Sequence, residues 1–177
     1  MRDIAEDHTL FLARVYDSLL IQEPVIRTLI TEIRTSQDVH LTGFGRSLCI
    51  AQAFGIRLFH FREYMKGTIS CTSDMIRAPI RKESLLITCS GSGKRQETLC
   101  IVQSAKMNGA KIALITYEEK STIREMADFV ITIPRDGSLF YGAGDFELGA
   151  FICFEMIITL MGQILNIPED VVTKWHV

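Results

Sequence analysis

The 177-residue sequence predicts a three-layer α/β sandwich, with five parallel strands between two layers of helices. Three observations predict it. Compact apolar runs alternate with stretches of helical spacing from residue 39 onward. Two of these runs end in short glycine–serine loops that open helices, and the runs at 111–116 and 129–133 are continuously apolar, as strands covered on both faces are. Ligands of such sheets bind beyond the carboxyl ends of the strands, where both loops fall.

Ile4, Phe11 and Val15 at near-helical spacing, followed by Leu19 and Leu20, predict a first helix ending near Glu23-Pro24. A second helix starts at Pro24, whose missing N–H would be unpaired in a first turn anyway. Val25, Ile26, Leu29, Ile30 and Ile33 form its apolar face. Val39–Thr42 is the first strand, Gly43–Ser47 its loop, and Leu48, Ala51, Gln52, Ile56, Leu58 and Phe59 suit the helix that follows. Gly67–Cys71 makes another strand. Leu85–Cys89, the loop Ser90–Gly93 and a helix through Leu99, Val102, Ala105 and Met107 repeat the pattern, with Asn108-Gly109 as a stop. Lys111–Thr116 and Phe129–Ile133 flank a short helix around Ile123 to Ala127. The apolar segment from Gly149 to Leu165, interrupted by Glu155, is short for a bilayer span and predicts a buried closing helix, with no membrane partner. One domain is expected over 1–177, with N-terminal helices in 1–36 and the αβα core in 37–177.

A formal charge of −2 lacks the basic surplus of nucleic-acid binders, so no nucleic-acid partner is expected. The start MRDIAEDHTLF carries charges where a secretory signal needs apolar residues, which predicts a cytoplasmic protein. A hydrophobic fraction of 47% with mean hydropathy +0.20 predicts apolar surface covered by further copies, hence a homo-oligomer, a dimer or tetramer. Cys49, Cys71, Cys89, Cys100 and Cys153 are odd in number, contain no CxxC pair and sit among apolar residues, which predicts free buried thiols and no metal.

The loops carry the chemistry. Gly45, Gly91 and Gly93 let backbone N–H groups approach an anion, serine hydroxyls donate without adding charge, and a helix N-terminus adds positive potential, so a phosphorylated small molecule is the expected ligand. Two nucleotide motifs fail. Gly43-x-Gly45 begins a dinucleotide fingerprint, but Leu48 holds the position of the third glycine; Gly93-Lys94 begins a P-loop end, but Thr88 and Arg95 stand at required glycine and Ser/Thr positions.

The segments GFGRS (43–47) and LLITCSGSG (85–93), with the spacing between them, resemble the SIS, or sugar isomerase, family of phosphosugar-binding domains. Within it the chain is most similar to 6-phospho-3-hexuloisomerases, through the two-helix start, Arg57-Leu58-Phe59-His60, the opening Asp145-Phe146-Glu147-Leu148-Gly149-Ala150 of the last helix, and His176. The resemblance implies a flavodoxin-like sandwich and an aldose–ketose type isomerisation through an enediol, with no metal or organic cofactor. It further implies Glu147 as base, Ser47, Ser90 and Ser92 on the phosphate, and Arg46 on the sugar oxygens. His60 would assist ring opening or proton transfer, reaching a neighbouring subunit's site, and His176 would occupy the place of the family's C-terminal histidine. Lys94-Arg95 replaces the family's usual glutamate-threonine; Arg95 can bind phosphate bidentately in the threonine's place. Pro134–Gly144 is shorter than the corresponding family loop. A sugar-phosphate sensor and an aminosugar phosphate enzyme stay open on the same scaffold. Structural roles also stay open for Ser47 as a helix cap and for Glu147 and His60 as partners of helix dipoles. His8 and His40 are read as structural or exposed, and Glu155 as an interface group.

Overall fold

The computed structural model describes residues 2–71, 79–137, 140, 144–168 and 170–171. Two helices lead, α1 (Arg2–Ile21) and α2 (Glu23–Thr35), followed by β1 (Asp38–Thr42), α3 (Arg46–Phe59) and β2 (Thr68–Cys71). Then come β3 (Ser84–Cys89), α4 (Gln96–Met107), β4 (Lys111–Thr116), α5 (Thr122–Met126), β5 (Phe129–Thr132) and α6 (Asp145–Leu165). The strands form one parallel sheet in the order β2-β1-β3-β4-β5. Cys71, Leu41, Ile87, Ala113 and Phe129 lie in register across all five.

Alternation along β3 divides the core. Leu85, Ile87 and Cys89 face a layer made by α1, α2, α3 and α6, while Leu86 faces α4 and α5 with Ile112 and Leu114. α6 is long and apolar enough to cross a membrane by length and composition, yet it packs against α3, α1 and α2, with Phe154 stacked on Phe54 at 4.2 Å. Gly149 lets it approach: a Cβ there would collide with Ile133. Glu155 on this helix pairs with Arg57 of α3 at 3.4 Å, a contact inside the chain where an interface role was expected.

Several side chains expected inside lie outside. α1 buries Phe11, Val15 and Leu19 but exposes Ile4 and Leu20, and α3 buries Ala51, Phe54, Gly55 and Leu58 but exposes Ile56 and Phe59. Each helix is covered on one side only, so the inward stripe is narrower than its apolar content. The thiols divide for the same reason. Cys89 and Cys153 are buried and Cys71 half-buried, but Cys49 and Cys100 ride on the outer faces of α3 and α4, which corrects the expectation of five buried thiols. His40 is buried, its Nδ1 2.8 Å from Ser70 Oγ across β1 and β2, and His8 stacks on Phe140 at 4.3 Å.

Candidate phosphosugar site

The first loop turns at Gly45, whose φ of +58° is strained for any residue with a Cβ, and this glycine caps α3. Arg46 and Ser47 therefore become the first residues of the helix, so Ser47 is not its cap. Both reach across to α6. Arg46 Nη2 donates to Glu147 Oε2 at 2.9 Å, and Ser47 Oγ donates to Glu147 Oε1 at 3.4 Å. Glu147 lies in the first turn of α6, where the helix's positive end favours a carboxylate. Its side chain is 19% exposed against 59% for Arg46, so the acid is set back and the guanidinium stands at the surface.

The second loop is braced by β4. Ser90 is buried, and its N–H donates to Ile115 O at 3.0 Å. Gly91 O accepts from Thr116 Oγ1 at 2.7 Å and from Tyr117 N–H at 3.2 Å. Only glycine fits at 91: a Cβ would stand 2.8 Å from Tyr117 Cε1 and 3.0 Å from Phe146 Cδ1. Ser92 Oγ accepts the Lys94 N–H at 3.4 Å, and Gly93 carries the chain through φ +59° into the start of α4. Phe146 directly precedes Glu147, so its packing beside Gly91 brings the carboxylate and this loop to one edge of the sheet.

The two cations that depart from the family pattern are already paired. Lys94 Nζ donates to Glu118 Oε2 at 2.9 Å, and this hydrogen bond is the main reason the Glu118 carboxyl lies below its usual range. Arg95 Nε lies 3.2 Å from Glu97 Oε2, and its guanidinium covers the Phe44 ring at 4.8 Å, tying the second loop to the first. Glu97 is likewise held low, chiefly by its own backbone N–H at the helix start and to a lesser degree by Arg95.

Arg46, Ser47, Glu147, Ser90, Ser92 and Arg95 thus share the carboxyl edge of the sheet with Gly45, Gly91 and Gly93. His60 does not join them within one chain. It ends α3 as a buried C-cap, so the helix's 14 residues separate it from Arg46 by about 20 Å. His176 lies outside the described residues. Tyr117 and Arg135, which follow β4 and β5 at this same edge, were passed over in the sequence; position just after a strand of a parallel sheet is the signal that would have found them. A cleft of about 1130 Å³ between Asp38, Met65, Thr68 and Arg81 opens at the opposite edge, away from both loops.

Residues 32–138 match the sequence model of the SIS domain, a segment that contains both loops but ends before Glu147. A 3-hexulose-6-phosphate isomerase of Methanocaldococcus jannaschii is 29% identical over 178 aligned positions, covering 98% of this chain and 94% of that one. Another, from Mycobacterium gastri, is 27% identical over 91% of this chain and 79% of its own. Among solved structures, a Methanococcus jannaschii protein whose crystal structure infers a 3-hexulose-6-phosphate isomerase superposes with a TM-score of 0.79 at 27% identity, over 99% of this chain and 97% of that one. The Vibrio vulnificus NanR protein complexed with ManNAc-6P shares the fold at a TM-score of 0.74 and 15% identity, over 97% of this chain and 69% of that one. With the domain model covering more than half of its length and both glycine–serine loops, the chain belongs to the SIS domain family.

Proposed function

We propose that this protein is a phosphosugar isomerase interconverting a 3-hexulose 6-phosphate and fructose 6-phosphate. The observation that carries the reading is the Glu147 carboxylate, gathered by Arg46 and Ser47 beside the braced Ser90–Gly93 loop. The hydroxyls of Ser90 and Ser92, the N–H groups around Gly91 and Gly93 and the N-terminus of α4 hold the phosphate, with Arg95 turning from Glu97 to add a bidentate contact. Ser47 supplies a further hydroxyl. Arg46 swings from Glu147 to the sugar oxygens, which frees the carboxylate as a base and sets a fixed positive charge against the oxygen that becomes negative.

Starting from the 3-ketose, Glu147 takes the proton from C2 and the electron pair forms the C2–C3 double bond of an enediol. As that bond forms, the C3 carbonyl π pair moves to O3, which takes up a proton. Glu147 then returns its proton to C3 while O2 gives up its hydroxyl proton and becomes the carbonyl, so that overall one proton passes from C2 to C3 and one from O2 to O3. The ketone has moved to C2. No organic cofactor or metal takes part in this scheme. His60 enters from a neighbouring copy to assist ring opening. A cytoplasmic homo-oligomer, a dimer or tetramer with one domain per chain, accommodates this arrangement; exposed Leu20, Ile21, Ile56 and Phe59 offer apolar surface for the contacts.

The test is NMR of the purified protein with fructose 6-phosphate and a panel of ketose and aldose phosphates. Interconversion of the two ketoses with deuterium entering a carbon position from heavy water is expected. Tight binding without turnover replaces the enzyme by a sugar-phosphate sensor.

A further inference from the structure

A second linked group of side chains sits at the same edge. Asp145, the first residue of α6, has no exposed surface. Its Oδ2 accepts the Asp136 N–H at 2.8 Å and lies 3.8 Å from Arg135 Nε, while Oδ1 is buried with no hydrogen-bond partner among the described residues. Burying a carboxylate with one oxygen unbonded opposes folding, and the positive end of α6 offsets only part of that. The carboxylate nonetheless fixes two things. It clips the base of the segment between β5 and α6, and it restrains Arg135.

The Arg135 guanidinium lies over the Tyr117 ring at 4.4 Å. Tyr117 in turn meets Phe146 edge-on at 5.6 Å and borders Gly91. Arg135 is therefore held over a ring that forms one wall of the Ser90–Gly93 loop, as Arg95 is held over Phe44 from the first loop. Its side chain is 46% exposed, and a 3.8 Å approach to Asp145 is longer than a hydrogen bond, so the pairing orients the N–H donors without consuming them.

The geometry points to Arg135 as a substrate-orienting residue that donates to the oxygens at the sugar end of a sugar phosphate, with Asp145 as the positioning residue that holds it. This rests on the phosphosugar reading above and adds a recognition element for the part of the ligand that the serine loop does not touch. A guanidinium suits the task, since a planar set of donors matches neighbouring hydroxyl and carbonyl oxygens and never changes charge.

Calorimetric titration of the full-length protein separates the two ends of the ligand, with inorganic phosphate as one probe and fructose 6-phosphate as the other. In Arg135→Met, the affinity for inorganic phosphate is expected to stay within about twofold, while that for fructose 6-phosphate falls roughly ten- to hundredfold, the range for hydrogen bonds from a charged donor. Asp145→Asn keeps an oxygen for the Asp136 N–H and drops the charge; it should show a smaller loss of the same selective kind. The double variant should bind no more weakly than Arg135→Met alone, because a positioning group has nothing left to position. Equal weakening for both probes, no weakening for either, or additive losses in the double variant overturns the proposal. Wild-type protein that binds inorganic phosphate but no sugar phosphate removes the phosphosugar reading itself, and the proposal with it.

Discussion

Glu147→Gln is the variant that bears most directly on the chemistry. Glutamine keeps the volume and leaves an acceptor oxygen for Arg46 and Ser47, whose donors stand 2.9 and 3.4 Å away, but it cannot take a proton at neutral pH. A positioned general base contributes about two to four orders of magnitude, or about 2.7–5.4 kcal/mol of activation free energy at 1.36 kcal/mol per decade. Stability should barely register the change. Arg46 is 59% exposed, so the ion pair is screened by solvent and contributes at most about 1 kcal/mol, a shift of about 2–4 °C in Tm for a chain of this size. Ligand affinity should hold or rise slightly, since a negative charge leaves the neighbourhood of a bound anion. Initial rates of ketose phosphate interconversion by NMR, calorimetric titration with fructose 6-phosphate and a thermal melt measure the three quantities on one preparation. Full turnover in Glu147→Gln places the base elsewhere and refutes the mechanism; parallel loss of binding and rate makes Glu147 a ligand contact instead.

Ser90→Ala and Ser92→Ala should each weaken sugar-phosphate binding by about 1–3 kcal/mol with the melting temperature little changed; unchanged calorimetric affinity in both removes the loop from the site. At pH 8 a thiol reagent should modify Cys49 and Cys100 at once and Cys89 and Cys153 only after unfolding. Burial pushes the Cys153 thiol up to about 12 and Cys89 in the same direction, so neither forms the reactive thiolate below that range; rapid native labelling of either, read by peptide mass, would contradict the packing. Cys71, raised to about 11 by partial burial, should react slowly. Light scattering should give a dimer or tetramer, and subunit-exchanged mixtures of His60→Ala and Glu147→Gln should recover activity that neither has alone. A monomeric mass, or no recovery, rules out a site shared between copies.

The strands were the most legible part of this fold because both faces of the sheet are covered, so β3 and β4 announce themselves as apolar runs whatever their neighbours do. Helix faces were less so. Periodicity gives the direction of an apolar stripe but not how much of it a neighbour covers, and so Ile4, Leu20, Ile56 and Phe59 were misplaced. The inner part of the site was legible as loops, since glycine and serine next to a strand end mean the same thing in most contexts. Its pairings were not. Arg46 and Glu147 are about a hundred positions apart, and no local pattern links them. Asp145 read only as part of a helix opening, although its complete burial sets it apart from the other described acidic side chains at this edge.

The packing of α6 has a consequence for how the chain comes to be folded at all. Phe11 and Val15 share a core with Phe146, Ala150 and Cys153, partners that follow them by well over a hundred residues. During synthesis the first helices must therefore wait with their apolar faces uncovered while the sheet forms, because the helix that completes their pocket emerges from the ribosome after every strand has done so. Contacts of such long sequence separation delay closure of this layer, whereas α4 and α5 dock on the other face with partners near in sequence. The nascent protein is thus half finished and sticky on one side for most of its translation, and a chain cut before Asp145 would remain in that state.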